Sequence, residues 1–200
     1  MIPAFGSRMK IGIYGGSFNP VHAGHLRVAR AAVEALGLDR LIVIPANVSP
    51  FKTGPKTYSP PWDRLALVRH AFAGMPRVMV DEREIRRGGV SYAIDTVREI
   101  AAENPGAELC FIVGEDSLAG LPRWKESAAL QRLCSFKAFP RTPESSTAVR
   151  ELFERTGVAR TEQWTATPPR AGVCPCAEFL AQLADPAFHG RCACRLYRKP

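Results

Sequence analysis

The sequence predicts an α/β fold built on a doubly wound parallel sheet with helices on both faces. Three observations lead there. Apolar runs of strand length recur through the first 140 residues. Each is followed by a stretch whose apolar residues repeat at helical spacing. The stretches rich in Gly, Pro, Ser and His come directly after the first, second and fourth strand-like runs. Ligands of open α/β sheets bind at the carboxyl ends of strands. The expected architecture is therefore Rossmann-like, followed by an irregular or divergent C-terminal tail.

Each element has its own signal. "KIGIYGG" reads as a buried strand, and "HLRVARAAVEALGL" as an amphipathic helix with Gly37 near its end. "RLIVIPA" is the next strand, and the Pro- and Gly-punctuated "NVSPFKTGPKTYSPP" is a loop. "WDRLALVRHAFAGM" reads as a helix, "RVMVDERE" as a strand and "IRRGGVS" as a loop. Ser91 is placed to cap a helix over "YAIDTVREIAAEN". "ELCFIVGEDS" is a strong strand, "ALQRLC" ends a short helix, "SFKAFP" is a strand, and "STAVRELFERTG" is a capped helix. Strands that are apolar throughout belong to a parallel sheet covered on both sides. From about Val158 the periodicity stops. The expected organisation is an extension over residues 1–8, an α/β domain over 9–157 and a divergent segment over 158–200.

Composition narrows the function. An apolar content of 46% suits a globular chain with a real core. No apolar run approaches the length of a membrane-spanning helix, so no membrane association and a cytoplasmic location are expected. The net charge is +8, yet no block of five Lys or Arg occurs and no aromatics interleave with basic clusters. Nucleic acid is therefore not the expected partner. Lys and Arg also pair well with phosphate oxygens, which points to phosphorylated small molecules. Of six cysteines, Cys110 and Cys134 fall in apolar runs and read as reduced core residues. The other four, with His189, lie in the tail as C-x-C pairs, where zinc is an alternative.

The densest chemistry is "GGSFNPVHAGH", residues 15–25. Gly15 and Gly16 allow a sharp turn and close backbone approach to a ligand. The helix that follows presents free N–H groups and a positive dipole end, both favourable to phosphate. His22 and His25 are three apart and share one side of its first turn, with Gly24 leaving access between them. The stretch is neither the G-x-G-x-x-G dinucleotide fingerprint nor a P-loop. Paired histidines also suit zinc, but no further ligands lie nearby in the sequence.

These residues resemble the (T/H)xGH signature of the nucleotidylyltransferase superfamily, and within it the bacterial nicotinate-nucleotide adenylyltransferases. "VIPANVSPFK", "RVMVDEREIRRGGVSYAIDTV" and "FIVGEDSLAGLPRWKE" resemble further segments of that family in the same order, over about residues 9–141. The resemblance implies adenylyl transfer from ATP to nicotinate mononucleotide, with pyrophosphate leaving and Mg²⁺ accompanying ATP. His22 and His25 would be catalytic. Gly15, Gly16, Ser17, Phe18, Lys52, Gly114 and Asp116 would bind ATP or its phosphates. Ser91, Tyr92, Thr96 and Trp124 would bind the nicotinate nucleotide. A homo-oligomer is possible in this family. The nearest alternatives are a phosphopantetheine adenylyltransferase and a nucleotide-binding protein with weak or no turnover.

Three departures from the family pattern stand out. Ala93 replaces the usual Thr of the "SYT" segment, and Phe51 replaces the usual His before Lys52. The family's phosphate-gripping "ISSTxIR" segment normally lies some tens of residues beyond the "FPR" strand. Here "SSTAVR" follows it by four residues. Ser146, Thr147 and Arg150 either play that role or cap an ordinary helix. In the second case the segment is missing and residues 158–200 are a divergent or out-of-frame end.

Overall fold

The computed structural model describes residues 8–51, 59–140, 145–155, 159–160, 190–191 and 197–199. Five parallel strands form one sheet: β1 (Lys10–Gly16), β2 (Arg40–Pro45), β3 (Val78–Val80), β4 (Glu108–Gly114) and β5 (Ser135–Phe139), in the order β3-β2-β1-β4-β5. Ile13 pairs with Ile42 on one side and Phe111 on the other, so β1 is the central strand. The chain builds outward from β1 to β3, then crosses back to β4. The reversal between β1 and β4 opens a crevice at their carboxyl ends.

Side-chain alternation along these strands divides the core in two. Tyr14, Leu41, Val43, Cys110 and Ile112 pack with residues of α1 (Ala23–Ala35) and α2 (Pro61–Phe72). Ile11, Ile13, Ile42, Ile44, Leu109, Phe111 and Val113 pack with residues of α4 (Ala93–Glu103) and α6 (Ser127–Leu133). Helices therefore cover both faces, as the apolar strands predict. Burial on both faces is what makes β1, β2 and β4 read as unbroken apolar runs.

Three local expectations are corrected. The run "RVMVDERE" is a strand only over Val78–Val80, because the Asp81 carboxylate accepts the Arg83 backbone N–H at 2.7 Å and starts a turn. That turn becomes a short helix, α3 (Arg83–Arg87), where a loop is expected from sequence. Ser91 does not cap α4. Tyr92 occupies the N-cap position, and Ser91 Oγ accepts the Asn47 backbone N–H at 2.8 Å instead.

Two further short helices follow: α5 (Glu115–Ala119), directly after β4, and α7 (Ser146–Arg155). The N-terminus of α7 is capped as the sequence suggests, with Ser145 Oγ accepting the Ala148 N–H at 3.1 Å. In the tail, β6 (Ala159–Arg160), β8 (Tyr197–Lys199) and β7 (Gly190–Arg191) form a small antiparallel sheet in that order. Lys52 and the tail cysteines with His189 lie outside the described residues. No helix among the described residues is long and apolar enough to cross a membrane.

Candidate active site

The crevice between β1 and β4 holds a cavity of about 720 Å³. Its floor is backbone. Gly15, Gly16 and Ser17 leave β1, and Gly114 leaves β4. Packing is tight around these glycines. A Cβ on Gly15 would sit 3.1 Å from the Phe111 ring, and one on Gly16 would sit 3.1 Å from the Phe18 ring. A Cβ on Gly114 would lie 3.2 Å from Asp116 Oδ1. Phe18 itself is buried in the core, backing the glycine turn and contributing no side chain to the cavity.

The two histidines open α1. His22 is its N-cap, and His25 Nδ1 accepts the His22 backbone N–H at 3.2 Å. That bond places the proton of a neutral His25 on Nε2. The His25 ring also packs 4.8 Å from Phe18, centroid to centroid. The His22 and His25 rings lie 3.8 Å apart. His22 is 6% exposed, and its Nδ1 is buried without a hydrogen-bond partner. Burial, aided by the nearby Arg27 charge, lowers its pKa to about 4. The sequence reading supplies imidazolium charge at this place. In the unliganded fold His22 is instead neutral at pH 7, because desolvation penalises the cation.

The far wall belongs to the segment before α4 and the one after β4. Ser91 and Tyr92 line it, and so do Asp116 and Trp124. Thr96 does not reach the cavity. It is buried and donates its hydroxyl to Glu84 Oε1 at 2.6 Å. Glu84 is on the wall, and burial pushes its carboxyl pKa up while bonds from Thr96 and Ser91 pull it down. Thr96 thus orients a wall residue.

Two residues escape a sequence reading. Glu84 sits in "DEREIRR", a charge run that looks solvated, and the short α3 turns it inward. Arg64 is 1% exposed. Its guanidinium donates to the carbonyls of Ser17 at 2.6 Å, Asn47 at 2.8 Å and Ser59 at 3.1 Å. One side chain thereby ties the glycine turn to the loop after β2. A signal was present: Arg64 stands three, four and seven residues before Leu67, Val68 and Ala71, on the apolar stripe of α2.

Ser146 Oγ donates to the Pro20 carbonyl at 2.9 Å, across 126 residues of sequence. The N-terminus of α7 therefore rests on the loop that carries His22. Among the described residues no cluster of three His, Cys, Asp or Glu side chains gathers as a metal cage.

The cytidylyltransferase-like family profile matches residues 13–173. A Geobacter protein named probable nicotinate-nucleotide adenylyltransferase is 43% identical over 146 residues, covering 72% of this chain and 66% of that protein. A Dehalococcoides mccartyi protein of the same name is 40% identical over 148 residues, covering 74% of this chain and 72% of that one. The chain thus spans about two thirds of the length of these relatives. Among solved structures, the Plasmodium falciparum nicotinic acid mononucleotide adenylyltransferase complexed with NaAD superposes with a TM-score of 0.55 at 13% identity. It covers 73% of this chain and 84% of its own.

Proposed function

This chain belongs to the cytidylyltransferase-like family, and we propose that it transfers the adenylyl group of ATP to nicotinate mononucleotide in NAD biosynthesis. A phosphate oxygen of the mononucleotide attacks the α-phosphorus of ATP. The bond from that phosphorus to the bridging oxygen breaks, and pyrophosphate departs with the electron pair. No enzyme nucleophile is needed, so catalysis consists of positioning two anions and offsetting charge between them.

The observation that carries this reading is the cavity at the carboxyl ends of β1 and β4, floored by the backbone of Gly15, Gly16, Ser17 and Gly114, with the stacked His22 and His25 rings opening the helix that follows β1. An anion seated at the start of that helix meets its positive dipole end, and His22 there can take up a proton. The anion's own charge supplies the reason to protonate. His25 Nε2 donates alongside. The backbone of Gly15, Gly16 and Ser17 follows the phosphates, and Phe18 fixes the turn beneath them. Lys52 is the further phosphate contact from the loop after β2, and Gly114 with Asp116 meets the nucleotide from β4. The contact of Ser146 with Pro20 supports Ser146 and Thr147 as the second half of the phosphate site, which weighs against a binding module without turnover.

Mg²⁺ would arrive with ATP. The donor set fits an ion held mainly by phosphate oxygens and water, with the Asp116 carboxylate within the same cavity. When bound it neutralises phosphate charge. The mononucleotide lies on the far wall, with its ring against Trp124 and its carboxylate at the N–H groups around Tyr92 and Ala93. Thr96 acts there through Glu84. Buried free thiols at Cys110 and Cys134 support a reducing, cytoplasmic setting.

The test is pyrophosphate release from ATP with each of two acceptors, nicotinate mononucleotide and phosphopantetheine. Nicotinate mononucleotide supports turnover, and phosphopantetheine supports none above background. Equal release with every acceptor contradicts the assignment.

A further inference from the structure

We propose that Phe51 is the second wall of an aromatic clamp, closing on the pyridinium ring of the mononucleotide from the side opposite Trp124. This inference rests on the adenylyl-transfer reading above. Phe51 lies in the loop after β2 and is 55% exposed, a large apolar ring held at the mouth of the cavity. Its centroid is 6.3 Å from that of Trp124, with the planes 37° apart.

Trp124 is fixed from behind. Phe111 stands edge-on to it at 5.7 Å and Phe136 edge-on at 6.1 Å, both at 81°. These two contacts set the indole plane and leave Phe51 as the ring that can move. A flat ring needs about 7 Å between its two neighbours, twice the carbon contact distance. The centroid separation of 6.3 Å is about 0.7 Å short of that. Rotation of an exposed phenylalanine supplies that opening and removes the tilt.

The chemistry selects the ligand. The ring nitrogen of nicotinate mononucleotide is bonded to ribose, so the ring carries a formal positive charge. A cationic flat ring between two π faces gains cation–π attraction on both sides. Adenine is neutral and gains less. A residue at position 51 with no hydrogen-bonding atom leaves stacking as its sole contribution.

Calorimetric titration with nicotinate mononucleotide, without ATP, tests the clamp. Phe51 is exposed, so its variants keep the core. Phe51→Ala and Phe51→Leu each weaken binding about tenfold, whereas Phe51→Tyr stays within twofold of wild type. ATP affinity stays within twofold in all three. Unchanged binding by Phe51→Ala overturns the clamp, as does a Leu variant that binds as well as Tyr, or a loss that falls on ATP. If the wild-type protein binds no nicotinate mononucleotide, the clamp and the activity assignment fail together. If wild type binds and turns over while Phe51→Ala binds equally well, the clamp alone fails.

Discussion

At the scale of single residues, burial decides what His22 and Arg64 do. His22 has a pKa of about 4 in the fold, against about 6.5 when unfolded. Between these values the unfolded chain binds a proton that the folded chain refuses. Stability is therefore complete above pH 6.5 and is lost progressively as pH falls to 4, by roughly 2–3 kcal/mol from this group. His70, also lowered by burial, adds a loss of the same sign. Urea unfolding of His22→Gln across this window should show a flatter pH dependence than wild type. Arg64 is the opposite case, a buried cation that satisfies three carbonyls. Arg64→Met leaves those carbonyls unpaired and should cost about 3–5 kcal/mol of unfolding free energy. The same substitution should weaken ATP binding, since the Ser17 turn is no longer held. His22 was legible in the sequence because two histidines around a glycine after a strand form a pattern. Arg64 was not, because an arginine in an amphipathic helix is ordinarily assigned to the solvent face. Its place on the apolar stripe shows only when the spacing to Leu67 and Val68 is counted.

Among the elements, the strands were the most legible and the connections the least. β1, β2 and β4 are buried on both faces, so their apolar runs needed no periodicity to identify them. α3 has five residues, too few to show a helical period, and its start depends on Asp81 turning back on Arg83. The capping of α4 departs from the sequence pattern for a related reason. Ser91 has the residue type of a cap, but Asn47 lies across the loop and takes its hydroxyl. The central strand makes a sharper prediction at Gly12. A Cβ there would lie 2.5 Å from one Leu38 methyl and 2.7 Å from one of Leu41, both at the ends of flexible side chains. Gly12→Ala forces those leucines to shift and should lower unfolding free energy by about 1–3 kcal/mol, as measured by urea denaturation. The β1–β2 pairing should survive, because the contact is with side chains alone.

For the molecule as a whole, strand order determines where chemistry can occur. The crossover from β3 back to β4 leaves the ends of β1 and β4 open beside each other. The sequence placed the Gly- and His-rich segment and the "GEDSL" segment at those ends without knowledge of the order. It also carried the letters of "SSTAVR", but not their location. A hydrogen bond spanning 126 residues is invisible to local patterns, and it is what brings α7 to the loop before His22. The central claim is that this crevice performs adenylyl transfer with His22 at the phosphates. It is tested most directly by measuring dinucleotide formation from ATP and nicotinate mononucleotide, with wild type and His22→Ala side by side. The account predicts deamido dinucleotide and equimolar pyrophosphate from wild type. His22→Ala should be slower by about 10²–10³-fold, with its thermal midpoint little changed. No dinucleotide from the wild-type protein, or equal rates from both proteins, would contradict it.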